Sequence, residues 1–417
     1  MAAACVIVLA VAANIACADP ALGPAQLVEI ATEVNPQVRG ARDRWYSAMH
    51  QIQQNYAPAD PILGYQNVDS PTNGFSAASE HTLTLADSFQ FPGKAILQAD
   101  NARRNAEIAR LVYEGTLRDV RAETETGYYQ VLLDAALEQV QAENVDNLGQ
   151  VLKVTQVAYS ANQVTQADFI SSEFDLAAAR QSQMQLRASV LNDETSLNQL
   201  LFRRPGEALN LDHTLQLKPI ELPMDKLADV ATQVRQEIIE TALSEHNAET
   251  ALRLAKLEYA PDYTLGYTFD NYLLSSAAPA PTGRMQDHGF SISFNAPVFF
   301  WLKQEEDVKR AQFDLAAARE DLDSIRSQTV AGVTNLYRTA QLARDTALLY
   351  RDSLIPLARQ DFEVSLIAYQ TGKLDFNGLS GALRRSNDAR VAYLQAANQF
   401  LASKVALEQA IGQPLPQ

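Results

Sequence analysis

Two kinds of hydrophobic spacing alternate along the chain, and each occurs twice. Over about residues 25–56, and again over 226–259, the sequence reads as helix; Pro58 and Pro261 stop each stretch, since proline has no amide hydrogen to continue it. Short strand-like runs follow in pairs, at about 62–69 and 82–91, then at 263–271 and 289–297. Each pair is separated by a polar loop rich in proline, glycine and serine. Phe290, Ile292 and Phe294 alternate with Ser291, Ser293 and Asn295. Leu83, Leu85, Phe89 and Phe91 alternate with Thr82, Thr84, Ser88 and Gln90, with Asp87 as the one break. Period two places one set on each face of a sheet, and it suits a membrane strand and a soluble half-buried strand equally.

Long helical patterns come next, over about 95–159 and 303–369, with Pro356 the only proline in either. At about 1.5 Å per residue each spans on the order of 100 Å, too long for one compact domain. Ala95, Ala99, Ala102, Ala106 and Ala109 in the first, and Val308, Ala311, Leu315, Ala318 and Leu322 in the second, keep a three-four spacing. Those are coiled-coil seams, and the alanines allow close helix approach. For the helices alone a coiled-coil rod is the simpler reading. The chain turns at 160–165 and 370–375 and returns as shorter helices, so helical hairpins are expected over about 95–202 and 303–411. Thr165 and Asp375 are suitable N-caps, and Thr165 with Asp168 has the spacing of a capping box.

This grammar is an internal duplication. Tyr56-Ala57-Pro58 and Leu63-Gly64-Tyr65 recur as Tyr259-Ala260-Pro261 and Leu265-Gly266-Tyr267. Phe89-Gln90-Phe91-Pro92 answers to Phe294-Asn295-Ala296-Pro297, Ala158-Tyr159 to Ala368-Tyr369, and Leu197-Asn198-Gln199 to Leu407-Glu408-Gln409. Four matches in the same order imply two equivalent halves, 19–215 and 216–417.

Residues 1–18 read as a signal peptide, an apolar run followed by Ala16-Cys17-Ala18 at an A-x-A spacing, although no Lys or Arg precedes the run. No later segment has the ~20 apolar residues of a spanning helix. Two strand pairs are also too few to close a membrane barrel, which takes about eight strands or more, and an open edge cannot face lipid. If these strands enter a membrane, several copies must pool them, and three copies would supply about twelve. Charge changes little. Thirty-four Lys and Arg against 50 Asp and Glu, net −16, argue against a nucleic-acid surface. His50, His81, His213, His246 and His288 are scattered, so no metal constellation is visible, and no catalytic triad, carboxylate pair or phosphate loop stands out. Neither catalysis nor a cofactor is expected. Phe299, Phe300 and Trp301 fit either an interfacial aromatic belt or ordinary packing.

Across the whole mature chain the sequence resembles the TolC-family outer-membrane efflux proteins. The residues that carry it are Asn35-Pro36 in the first helix, the two Tyr-Ala-Pro stops, and the turn motif Tyr369-Gln370-Thr371-Gly372. The resemblance implies a mainly α chain with a small membrane β-barrel part, trimeric, with a twelve-stranded β-barrel and a periplasmic α-helical barrel. It implies an exit duct in the bacterial outer membrane that docks on a periplasmic adaptor and an inner-membrane pump of the RND type. The docking tip and gate would then involve Tyr159, Asn162, Thr165, Asp168, Tyr369, Gly372 and Asp375, while Phe290, Ile292 and Phe294 would face lipid. Asn162 stands where the family favours glycine. Gly378 and Gly381 stand where relatives often carry acids, which puts a tip ring of acids from the second half in doubt. Phe91-Pro92-Gly93-Lys94 resembles the heavy-metal branch. Many relatives carry lipid on a cysteine, so Cys17 is either removed with the leader or lipidated; Asn14 is a poor lipobox residue. A periplasmic adaptor is the alternative function, but adaptors carry a single hairpin; a soluble coiled-coil scaffold would not need duplicated strand pairs.

Overall fold

In the computed structural model the described residues are 21–70, 78–212, 216–274 and 283–415. The expected signal peptide, Cys5, Cys17 and His213 lie outside them. The chain forms two compact units. Of the described residues, one gathers 21–35 with those of Val120–Pro219 and Ala340–Val405; the other gathers those of Pro36–Asp119 and Ile220–Thr339 with 406–415.

The first half runs α1 (Pro24–Val34), α2 (Pro36–Tyr56), β1 (Ile62–Ser70), β2 (Ala78–Phe89), α3 (Lys94–Ser160) and α4 (Gln166–Leu200). The second runs α5 (Met224–Val234), α6 (Gln236–Leu257), β3 (Tyr263–Leu274), β4 (Gly283–Phe294), α7 (Gln304–Leu349), a π-helical turn (Tyr350–Leu354), α8 (Ile355–Gln370) and α9 (Phe376–Ile411). The strands form one antiparallel sheet in the order β1-β2-β3-β4, which leaves β1 and β4 as open edges.

Three differences from the sequence reading have physical causes. Each leading helix is broken. Asn35 (φ −66°, ψ 124°) and Arg235 (φ −62°, ψ 123°) are extended and divide α1 from α2 and α5 from α6. Pro36 forces its predecessor out of the helical region. Gln236 imposes no such restriction; there the Arg235 guanidinium binds Thr329 at 3.0 Å and Glu237 at 3.0 Å. Second, β2 spans 78–89 and β4 spans 283–294, both displaced towards their hairpin turns from the expected 82–91 and 289–297. The Phe91 amide donates to Asp262 Oδ1 at 2.7 Å and not to a neighbouring strand, and Pro92 then leads into α3. Third, the second long helix contains the π turn. Buried Ala102, Ala106, Val120, Thr124 and Val131 recur at identical spacing as Ala311, Leu315, Thr329, Val333 and Ala340. From there to the tip tyrosine the first copy runs 131 to 159 and the second 340 to 369, one residue more. A π turn is how a helix absorbs one extra residue without losing its seam.

Small residues at those seams bring helices close, and the buried hydroxyls among them are satisfied within their own helix. Thr124 donates to the Val120 carbonyl and Thr329 to the Ile325 carbonyl, both at 2.7 Å. In the first unit Leu148, Val151, Leu176, Ala179, Tyr369, Phe376, Leu379 and Leu383 join α3 and α4 to α8 and α9. In the second unit Leu227, Ala231, Val333, Leu407 and Ile411 close a core of their own.

Two acids, Asp134 of α3 and Asp193 of α4, lie close together. Asp193 has a carboxyl oxygen buried without a donor, and burial, then repulsion from Asp134, push its pKa up. A raised pKa means that this contribution to stability is complete below the ordinary carboxylate range and is lost as pH rises through the raised value. Asp193→Asn supplies a permanent donor. It should raise the unfolding temperature at pH 7, with the gain shrinking on acidification; a lower unfolding temperature at pH 7 would contradict the assignment.

Candidate functional site

The register of the sheet sorts its side chains into two unlike faces. Directly opposed residues share a face, so the pairings Leu63↔Leu85↔Tyr267↔Phe290 and Tyr65↔Leu83↔Phe269↔His288 run across all four strands on one side. Phe89, Tyr263, Leu265, Ile292 and Phe294 continue that side. The other carries Gly64, Gln66, Thr82, Thr84, Ser88, Thr264, Gly266, Thr268, Gly289, Ser291 and Ser293. The apolar side is uncovered within this chain: Phe290 is 87% exposed, Leu63 70% and Ile292 59%. An uncovered apolar face of this kind needs a partner or lipid.

The polar face also carries Glu80, Asp270 and Asp287 near the hairpin turns, with Asp270 directly opposite Asp287. Close approach requires small residues on this face. A Cβ on Gly266 would lie 2.4 Å from Ser291 Oγ, and one on Gly289 would lie 2.6 Å from Thr268 Oγ1. Asp87 falls on the apolar face opposite Leu265, half-buried, with one oxygen lacking a hydrogen bond.

A duplicated pair went unnoticed in the sequence. Tyr65 Oη lies 2.9 Å from His81 Nδ1, and Tyr267 Oη lies 2.7 Å from His288 Nδ1. Each is a diagonal pair on the apolar face, towards the turn end of its hairpin. The repeated Leu-Gly-Tyr was the available signal; the histidine sits two positions before the residue that opposes the tyrosine. Phe299, Phe300 and Trp301 are exposed beyond β4, with edge-on contacts at 5.9 and 5.2 Å between rings.

In the other unit the two hairpin turns have the same backbone pattern. Asn162 N–H donates to the Tyr159 carbonyl at 3.0 Å and Gln163 N–H to Ala158 at 2.8 Å; Gly372 and Lys373 donate to Tyr369 and Ala368 at the same distances. Both turns need a left-handed residue, supplied by Asn162 (φ 56°) and Gly372 (φ 73°). Thr165 caps α4, accepting from Asp168 N–H at 3.2 Å, while its own amide donates to Asp168 Oδ2 at 3.0 Å. Asp375 Oδ1 accepts the Gly378 amide at 2.9 Å and so caps α9. Both acids are thus engaged in helix starts. Tyr159 is exposed and stacks on Phe169 at 5.6 Å, whereas Tyr369 is only 6% exposed, with Oη 3.1 Å from Thr155 Oγ1.

The space beside Gly378 is filled by neighbouring side chains. A Cβ there would lie 2.6 Å from Leu374 Cδ1 and 3.1 Å from Asp375 Oδ1. The hairpins are linked by Asp175, which accepts from Ser380 at 3.2 Å and faces Arg384 at 3.5 Å, and by Arg390 to Glu143 at 2.5 Å. The Arg390 hydrogen bond holds the Glu143 carboxyl below its ordinary pKa. Among the described residues no group of acids, histidines or cysteines is arranged to hold a metal, and no helix is long and apolar enough to cross a membrane.

Gly372→Val forces a β-branched side chain into the left-handed region, at a cost of roughly 1–2 kcal/mol. The turn should loosen, and trypsin should cut after Lys373 faster than in the parent chain. Asn162→Gly should leave chymotryptic cleavage after Tyr159, at its own turn, unchanged or slower. Equal cleavage after Lys373 in parent and valine variant would mean that this backbone is not strained.

The family model described as outer membrane efflux protein matches residues 227–413. The outer membrane protein TolC of Salmonella enteritidis is 21% identical over 408 residues, 93% of this chain and 81% of that protein. TolC of Escherichia coli (strain K12) is 21% identical over 409 residues, with the same shares covered. Among solved structures, the outer-membrane channel OprN superposes with a TM-score of 0.78 at 19% identity, covering 94% of this chain and 90% of its own. The outer membrane protein VceC of Vibrio cholerae does so with a TM-score of 0.78 at 15% identity, covering 94% and 97%.

Proposed function

We infer that this chain, a member of the outer membrane efflux protein family, is the outer-membrane exit duct of a tripartite efflux system, a passive conduit without catalysis of its own. The observation that carries the reading is a four-stranded sheet with one exposed apolar face, one polar face and two open edges. Lipid is the solvent that suits the apolar face, and a water-filled lumen suits the other. In hydrocarbon the edges must pair, so copies of the chain close a common barrel, as a homotrimer of about twelve strands. Phe290, Ile292 and Phe294 then face lipid and Ser291 and Ser293 face the lumen.

The helical hairpins extend into the periplasm, where the turns meet a periplasmic adaptor that links the duct to an inner-membrane pump of the RND type. Tyr159, Asn162, Thr165, Asp168, Tyr369, Gly372 and Asp375 form the docking tip. Exposed Tyr159 and the paired left-handed turns support that role, while capping by Asp168 and Asp375 speaks against a free ring of acids. Drugs, metal ions or other small solutes are the cargo. The Phe91-Pro92-Gly93-Lys94 segment, which resembles the heavy-metal branch, makes the strand-to-helix junction, and its lysine is buried there.

Arginine scanning of β4 tests the reading. Ile292→Arg should cost about 2–4 kcal/mol if it lies near mid-membrane and so abolish accumulation in outer-membrane fractions. Ser291→Arg, on the lumen face, should be tolerated, with efflux reduced at most by obstruction. Equal tolerance at the two positions would show that these strands are not in lipid.

A further inference from the structure

One buried junction is complete within the chain, and the two halves of a second lie unmated. In the complete one, Lys94 at the start of α3 is 2% exposed, with Nζ 3.0 Å from Asp262 Oδ1, 3.3 Å from Glu258 and 3.4 Å from the Ala260 carbonyl. Asp262 Oδ1 also accepts the Phe91 amide, and the Asp262 amide donates to Asn295 Oδ1 at 2.7 Å. The end of β2 is thereby fastened to the start of β3. An ammonium buried to this degree is tolerated only when it is paired and hydrogen-bonded.

The duplication identifies the counterparts. In the register that matches Ala102, Ala106, Val120, Thr124 and Val131 to Ala311, Leu315, Thr329, Val333 and Ala340, Lys94 answers to Lys303. Asp262 follows Tyr-Ala-Pro and stands three residues before Leu-Gly-Tyr; Asp60 holds the same place before Leu63-Gly64-Tyr65. Lys303 and Asp60 are both exposed, and neither side chain has an ion-pair partner among the described residues. Asp60 lies two residues before β1 and Lys303 follows β4, the two edge strands.

We propose that Lys303 of one protomer and Asp60 of the next form this junction again, between copies, in the assembled oligomer. Transferring the β2–β3 register through the strand matches of Phe89 to Phe294 and Leu265 to Leu63 sets β4 against the neighbouring copy's β1, with four more residues between Phe294 and Lys303 than between Phe89 and Lys94. Ile292 then opposes Leu63, Phe290 opposes Tyr65 and His288 opposes Asn67. The faces supply an independent check. All six residues already lie on the apolar side in the single chain, so this register continues that side across the seam. A slip of one residue would turn the neighbour's apolar set into the lumen. The junction also works through charge complementarity, Lys303 beyond one edge strand meeting Asp60 before the other.

The proposal rests on the reading that copies share one barrel, and the experiment separates the two. Outer-membrane fractions are treated with a carbodiimide, which joins a paired carboxylate and amine with no spacer, and digested for mass spectrometry. A link between Asp60 and Lys303 in oligomer bands, absent from monomer bands, is expected. Asp60→Lys and Lys303→Asp should each lower the unboiled oligomer about tenfold, and the double exchange should restore it. Intact parent oligomer, with no such link and no loss in either single variant, would overturn the junction and leave the duct reading standing. Loss in the single variants without a link or restoration would also overturn it. A parent chain that stays monomeric in the membrane would remove both.

Discussion

An unpaired strand edge cannot rest in hydrocarbon, and much of this molecule follows from that constraint. Four strands carry an apolar face suited to lipid, yet β1 and β4 each present a row of backbone donors and acceptors that pair with no further strand among the described residues. A solitary copy therefore has a surface fit for the membrane and a backbone unfit for it. The assembly proposed above would resolve the conflict. On that proposal duplication is useful, because a repeated hairpin would carry the pairing geometry of its internal seam to its edges.

The helices face a different requirement. They are far longer than a compact domain can enclose and are packed through alanines and hydroxyl residues. Close approach replaces a thick core, and buried threonines satisfy themselves on the preceding turn. Such seams tolerate little change in residue number, which is why the extra residue of the second copy is confined to one π turn. Left-handed backbone recurs in equivalent places at the two hairpin turns, at Asn162 and Gly372.

Much of this was legible in the residues, because periodicity and duplication are local signals. Phe290-Ser291-Ile292-Ser293-Phe294 showed its two faces directly, and the order of Tyr-Ala-Pro, strand pair and long helix marked the halves. Features that depend on pairing were not legible. The His81 and His288 contacts need the strand register, and scattered histidines look idle until their tyrosines are set beside them. Lys94 looked like part of a family motif, and its buried partner Asp262 comes from the other half of the sequence. The break at Arg235 carries no proline signal, so only its geometry reveals it. Gly378, read as a missing acid, sits against the Leu374 side chain, a contact that no spacing rule exposes.

The central claim is that both sheet edges are closed by other copies of the chain. Amide hydrogen exchange on the protein in lipid bilayers reads this directly, since an edge amide is protected only when it is bonded. The account predicts that the outward-facing amides of β1 and β4 exchange as slowly as those of β2 and β3, and that dissociation into monomers makes them fast. Rapid exchange along β1 and β4 in the intact membrane-bound protein, with β2 and β3 still protected, would contradict it.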